Sequence, residues 1–133
     1  MHIIPTKIHG ILDYAMGLLL IASPWLFDFA RDGAETWVPV VLGISTILYS
    51  LVTNYELGVS GKISMKTHLG IDLASGIFLA LSPWIFGFSD YVYLPHVILG
   101  LTEVAAVLLS KTEPEYTPGR RTTNHKSRSS HAV

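Results

Sequence analysis

Residues 7–29, KIHGILDYAMGLLLIASPWLFDF, recur as residues 66–88, KTHLGIDLASGIFLALSPWIFGF, and at an offset of 59 the two stretches agree at 11 of 23 positions. The agreement includes Lys7/Lys66, His9/His68, Asp13/Asp72, Gly17/Gly76 and the triplets Ser23-Pro24-Trp25 and Ser82-Pro83-Trp84. Hydrophobic composition alone repeats Leu and Ala by chance, but not His, Asp and Ser-Pro-Trp in register. The chain is an internal duplication, and its architecture has to be one that uses the same unit twice.

The unit is built for lipid. Half of the 133 residues are hydrophobic and 14% are charged, with a mean hydropathy of +0.44. A water-soluble domain carries about 25% charged residues, so this chain is short of what a water-facing surface needs. Four long apolar runs point to a polytopic membrane protein. The absence of cysteine excludes disulfides, thiolate metal sites and cysteine catalysis. The first run is followed by Ala22-Ser23-Pro24-Trp25, a poor cleavage site for a signal peptide, so it is expected to stay as a helix.

The runs cover about residues 8–29, 37–52, 66–88 and 91–110, the last with Asp90 as its expected N-cap. A first helix stopping before Pro24 would be only about 22 Å long, too short for a hydrocarbon core of about 30 Å. It is therefore expected to continue with a kink, Ser23 or a neighbouring helix taking up the Leu20 carbonyl that Pro24 leaves without a donor. The same holds for Pro83 and Leu79. The expected fold is an all-α membrane protein with four transmembrane helices. They form two tandem helical hairpins of parallel orientation, repeat 1 at about 7–53 and repeat 2 at about 66–110. Helices 1 and 3 are proline-kinked. Residues 1–110 form the transmembrane domain, and the polar, proline-bearing stretch 111–133 is expected to be a disordered cytoplasmic tail.

Orientation follows from basic residues. One side holds Lys7, Lys62, Lys66, Lys111, Arg120, Arg121, Lys126 and Arg128, and the other holds Arg31 alone. The positive-inside rule then places both termini in the cytoplasm, in a cell inner membrane. Trp25, Trp37, Trp84, Tyr91 and Tyr93 fall together at the outer interface, as an aromatic belt should.

His9 and Asp13 are four residues apart, as are His68 and Asp72, so each pair shares one helix face. Ionisable groups inside a span are costly and mark functional candidates. As one cluster the four could pass protons, hold a cation, or supply four metal ligands; the two histidines could also ligate a haem. As structural clips, each Asp would accept from its own His or from a helix end across the bundle. Glu103 is a second candidate, a lone acid in the fourth span opposite Thr46. Gly17, Gly76, Gly43 and Gly100, with Gly70/Ala74, are expected at close helix contacts. Ser-Pro-Trp is read as structural, proline bending the helix where tryptophan anchors it. His96 has no copy and is read as incidental.

Two copies of Ser-Pro-Trp, each ending an apolar span and followed by an aromatic-rich turn, resemble the SPW repeat family over about residues 7–110. That resemblance implies a repeated pair of transmembrane helices in a bacterial or archaeal membrane, and no activity for particular residues. No nucleophile–base arrangement, phosphate loop or zinc motif stands out, so the expectation is a non-enzymatic protein. Its first expected role is a structural unit that self-associates in the bilayer as a homo-oligomer. The alternative is proton or cation handling through His9, Asp13, His68 and Asp72, and a third is haem or divalent-metal binding. No cofactor is required by the sequence. No nucleic-acid partner is expected, and the tail residues Arg120, Arg121, Lys126 and Arg128 suggest at most weak contact with anionic lipid.

Overall fold

A computed structural model describes residues 1–114; the basic tail residues lie outside the described residues. Among the described residues there are four helices: α1 (Thr6–Leu26), α2 (Ala34–Val52), α3 (Met65–Ile85) and α4 (Leu94–Leu109). Helix α1 opens after Pro5, and α3 opens on Ser64, whose hydroxyl accepts from the Thr67 N–H. With 21, 19 and 21 residues, α1 to α3 are long and apolar enough to cross a bilayer. Helix α4 has 16 residues, about 24 Å, and is shorter than expected. Residues 89–92 wind into a turn on the Phe88 carbonyl instead. The helix starts at Leu94, with Pro95 in the first turn, where no N–H is needed. Asp90 is therefore not its N-cap.

Both α1 and α3 run through their proline. The Ser23 hydroxyl donates to the Leu20 carbonyl at 2.9 Å, and Ser82 donates to Leu79 at 2.7 Å. These are the carbonyls that Pro24 and Pro83 leave without a backbone donor. Two residues past the last helical one, Asp28 and Gly87 take positive φ (55° and 72°), and the chain turns back so that Phe29 and Phe88 bond the Pro24 and Pro83 carbonyls. The triplet is thus a serine-patched proline followed by a left-handed stop, used twice.

The helices pair as α1 with α2 and α3 with α4, and α2 joins the hairpins along α3. Glycines set the approach within each hairpin. A Cβ on Gly43 would lie 2.5 Å from the Gly17 carbonyl oxygen, and one on Gly100 would lie 2.5 Å from that of Gly76. Leu20, Leu79 and Leu99 fill the centre. Trp25, Trp37 and Trp84 are each more than half exposed, as suits lipid-facing side chains. Gly70 has no atom within 4 Å of where its Cβ would be, so the Gly70/Ala74 pair faces outward and packs no helix of this chain.

At the other end of the bundle, the last residue of each hairpin bridges to the segment leading into a first helix: Thr53 with Ile63, and Ser110 with Ile4. The second bridge is reinforced by the Lys111 N–H on the Ile4 carbonyl and by His2 on the Ser110 carbonyl.

Candidate functional site

The first turns of α1 and α3 carry His9 and His68, and the second turns carry Asp13 and Asp72. All four are buried, at 1%, 0%, 8% and 5% exposure. The structure brings them into one cluster in which each imidazole reaches across to the other repeat. His68 Nε2 lies 2.7 Å from Asp13 Oδ2 and 3.0 Å from Asp72 Oδ2. His9 Nε2 lies 3.0 Å from Asp72 Oδ2 and 3.2 Å from Asp13 Oδ1. Each His keeps the contact to its own Asp that the clip reading expects, but an i,i+4 pair on one helix also presents both groups to the facing helix, and here the facing partner lies at least as close.

The opposite ring nitrogens are held from behind by residues that sequence reasoning missed. His9 Nδ1 is 2.7 Å from Ser110 Oγ, and His68 Nδ1 is 2.8 Å from Thr53 Oγ1. Each hydroxyl has already given its single proton to a carbonyl one turn back, Ser110 to Ala106 and Thr53 to Tyr49, both at 2.6 Å. Ser110 and Thr53 must therefore accept, so each Nδ1 carries a proton and donates. That leaves both Nε2 atoms, aimed at the carboxylates, holding either a second proton or a bare lone pair. Thr53 and Ser110 share with Gly43 and Gly100 an offset of 57; aligning the second helices on that offset would have found them.

Four ligand atoms, one per residue, lie within 4.8 Å of one another. Two imidazole nitrogens and two carboxylate oxygens form a ligand set for a first-row divalent ion such as Zn²⁺. Tetrahedral bonds of about 2.0–2.1 Å space ligand atoms roughly 3.3 Å apart, so the His–Asp separations of 2.7–3.2 Å would widen modestly around an ion, within a cluster whose ligand atoms already lie within 4.8 Å of one another. The hydroxyl-anchored Nδ1–H groups are the outer-shell partners that metal-binding histidines ordinarily have. A haem does not fit. The two rings meet edge-on with centroids 5.6 Å apart and share the same carboxylates, leaving no slot for a macrocycle between them.

Around the cluster the halves differ. Tyr49 donates to Asp72 Oδ1, and Ser50 donates to Asp13 Oδ2 at 3.3 Å. On the side of the α2–α3 loop, Tyr55, 1% exposed, lies across Gly10, where a Cβ would meet its ring at 2.1 Å, and stacks obliquely beside His68. Burial pushes the Tyr55 hydroxyl well above its ordinary pKa, so it seals that end as a neutral group.

Glu103 stands apart from the four but lines the same small cavity, opposite Thr46. At the far end of the bundle His96, read as incidental, is 1% exposed between the rings of Phe29 and Phe88, at 5.0 and 4.9 Å. Its Nε2–H donates to the Glu35 carbonyl at 2.9 Å. Glu35 stands four residues before Pro39, so the imidazole replaces the N–H that this proline lacks. The orphan carbonyl before Pro39 was the available signal.

The family model of the SPW repeat domain matches residues 7–110, and the chain belongs to that family. Neither the curated proteins nor the solved structures contain a match to it.

Proposed function

We propose that this SPW repeat protein is a non-enzymatic membrane protein that binds a divalent transition-metal ion, of the Zn²⁺ class, at His9, Asp13, His68 and Asp72. The observation that carries the reading is the fixed tautomer. With Nδ1–H committed to Ser110 and Thr53, two Nε2 atoms and two carboxylates converge on one buried point, and that point must hold positive charge. Two extra protons neutralise the two carboxylates, and so does one divalent ion; a cluster with neither would hold two uncompensated negative charges inside a span. The site therefore exchanges one divalent ion for two protons with no change in net charge, which is what a cation-handling site in a low-dielectric setting requires. On the basic-residue rule it lies in the cytoplasmic half of an inner membrane.

Self-association through the glycine faces has less support, because Gly17 faces Gly43 and Gly76 faces Gly100 inside each hairpin.

The test is a Co²⁺ titration of the purified protein in nanodiscs, read by visible d–d absorption and followed by Zn²⁺ displacement. One Co²⁺ per chain is expected, displaced by Zn²⁺ and lost in His9→Ala/His68→Ala. Wild-type protein that takes up no stoichiometric Co²⁺ or Zn²⁺ would overturn the proposal.

A further inference from the structure

The duplication is broken at one place beside the cluster. In the register that pairs Gly43 with Gly100 and Thr53 with Ser110, Tyr49 corresponds to Ala106, Ser50 to Val107 and Thr46 to Glu103. On the α2 side, Tyr49 and Ser50 close over the carboxylates with hydrogen bonds. On the α4 side, Ala106 and Val107 offer none, and the space a second tyrosine would occupy is a cavity of about 30 Å³, room enough for a water. Its floor is His9, Asp13 and Asp72, and Glu103 forms its wall. Glu103 Oε2 is fully buried and has no hydrogen-bond partner among the described residues. The cavity lies between α1 and α4, and of its lining residues Leu12 and Thr102 are exposed.

We infer that this cavity is the access side of the cation site, and that Glu103 is its receiving carboxylate: a divalent ion meets Glu103 first and passes from it to the His/Asp cluster. The inference rests on the metal-binding reading above and adds a route and a fifth oxygen. A carboxylate oxygen facing a water-sized space within the same wall as two Asp residues is a poor packing group but a suitable ligand for a partly hydrated divalent ion. Tyr49 makes the other face a wall, so the exchange is one-sided. The second repeat has Ala106 where the first has its plug, Tyr49.

The experiment is stopped-flow mixing of nanodisc-embedded protein with Co²⁺ alone, beside equilibrium titration. Glu103→Gln replaces the carboxyl, which can ionise on meeting the ion, with an amide that cannot, and Ala106→Phe fills the cavity with a ring like that of Tyr49. Each is expected to slow Co²⁺ association by about tenfold or more, as loss of an ionisable ligand or of access does. Glu103→Asp is expected to recover most of the rate. Ala106→Leu serves where the larger ring prevents folding, and is expected to slow loading in the same sense. If wild type binds Co²⁺ and Glu103→Gln loads at the wild-type rate, the route is overturned while the metal site stands. If wild type binds none, both are overturned.

Discussion

Replacing the hydroxyl behind either histidine tests the tautomer argument where it is most exposed. Thr53→Val is nearly isosteric, and Ser110→Ala removes one oxygen. Both abolish the acceptor for a buried Nδ1–H now bonded at 2.8 and 2.7 Å. An imidazole left this way has two options. It can keep Nδ1–H unpaired, at about 1–3 kcal/mol of stability, or move the proton to Nε2 and so present a donor where a metal needs a lone pair. Both outcomes lower metal affinity, by about 10–100-fold for an outer-shell partner, which is about 1.4–2.7 kcal/mol. Because the two hydroxyls occupy equivalent places, the two variants should lose similar amounts. The assay is Co²⁺ titration with Zn²⁺ competition, alongside thermal unfolding of the metal-free protein. Variants that melt earlier yet bind Co²⁺ as tightly as wild type would refute the argument, since the hydroxyls would then support the helix ends and nothing at the metal.

Two further outcomes follow from the packing. Gly100→Ala and Gly43→Ala each place a Cβ 2.5 Å from a facing carbonyl oxygen, so the helices must part by about 1 Å to reach ordinary contact; thermal unfolding should show a loss of about 1–3 kcal/mol, whereas Gly70→Ala, with no atom near, should show none. His96→Leu strips the donor from the Glu35 carbonyl, and calorimetry or thermal melting should register about 1–3 kcal/mol of lost stability, with Co²⁺ affinity unchanged because Ser110 lies at the opposite end of α4.

Much of this architecture is legible in the chain. The repeat announces two equivalent units, the span lengths require helices that pass through Pro24 and Pro83, and the orphan Leu20 and Leu79 carbonyls identify Ser23 and Ser82 as their donors. The i,i+4 spacing also puts each His and Asp on one face. Which partner each imidazole meets is a different matter, because it depends on how α1 and α3 are rotated against each other, and no periodicity encodes that. Thr53 and Ser110 were hidden because they belong to the second helices, whose register differs by two residues from that of the first. His96 was hidden because it has no copy: it answers to Pro39, and helix α4 begins later than the apolar run because Pro95 favours the first turn.

The bridge between Ile4 and Ser110 repeats that between Thr53 and Ile63, so the beginning and end of the bundle meet as its middle does. In space the hairpins form a closed ring, and the segment 54–62 is the one covalent link in a junction that is otherwise made twice. Because both bridges are parallel, cutting the backbone there and joining residue 111 to residue 4 through a loop as long as 54–62 would exchange the order of the hairpins while keeping the contacts at the cluster. The site also belongs to neither hairpin, since each histidine bonds the other's aspartate. A lone hairpin would bury one histidine and one aspartate without the facing partners that each now bonds, so the cluster requires both repeats in one bundle.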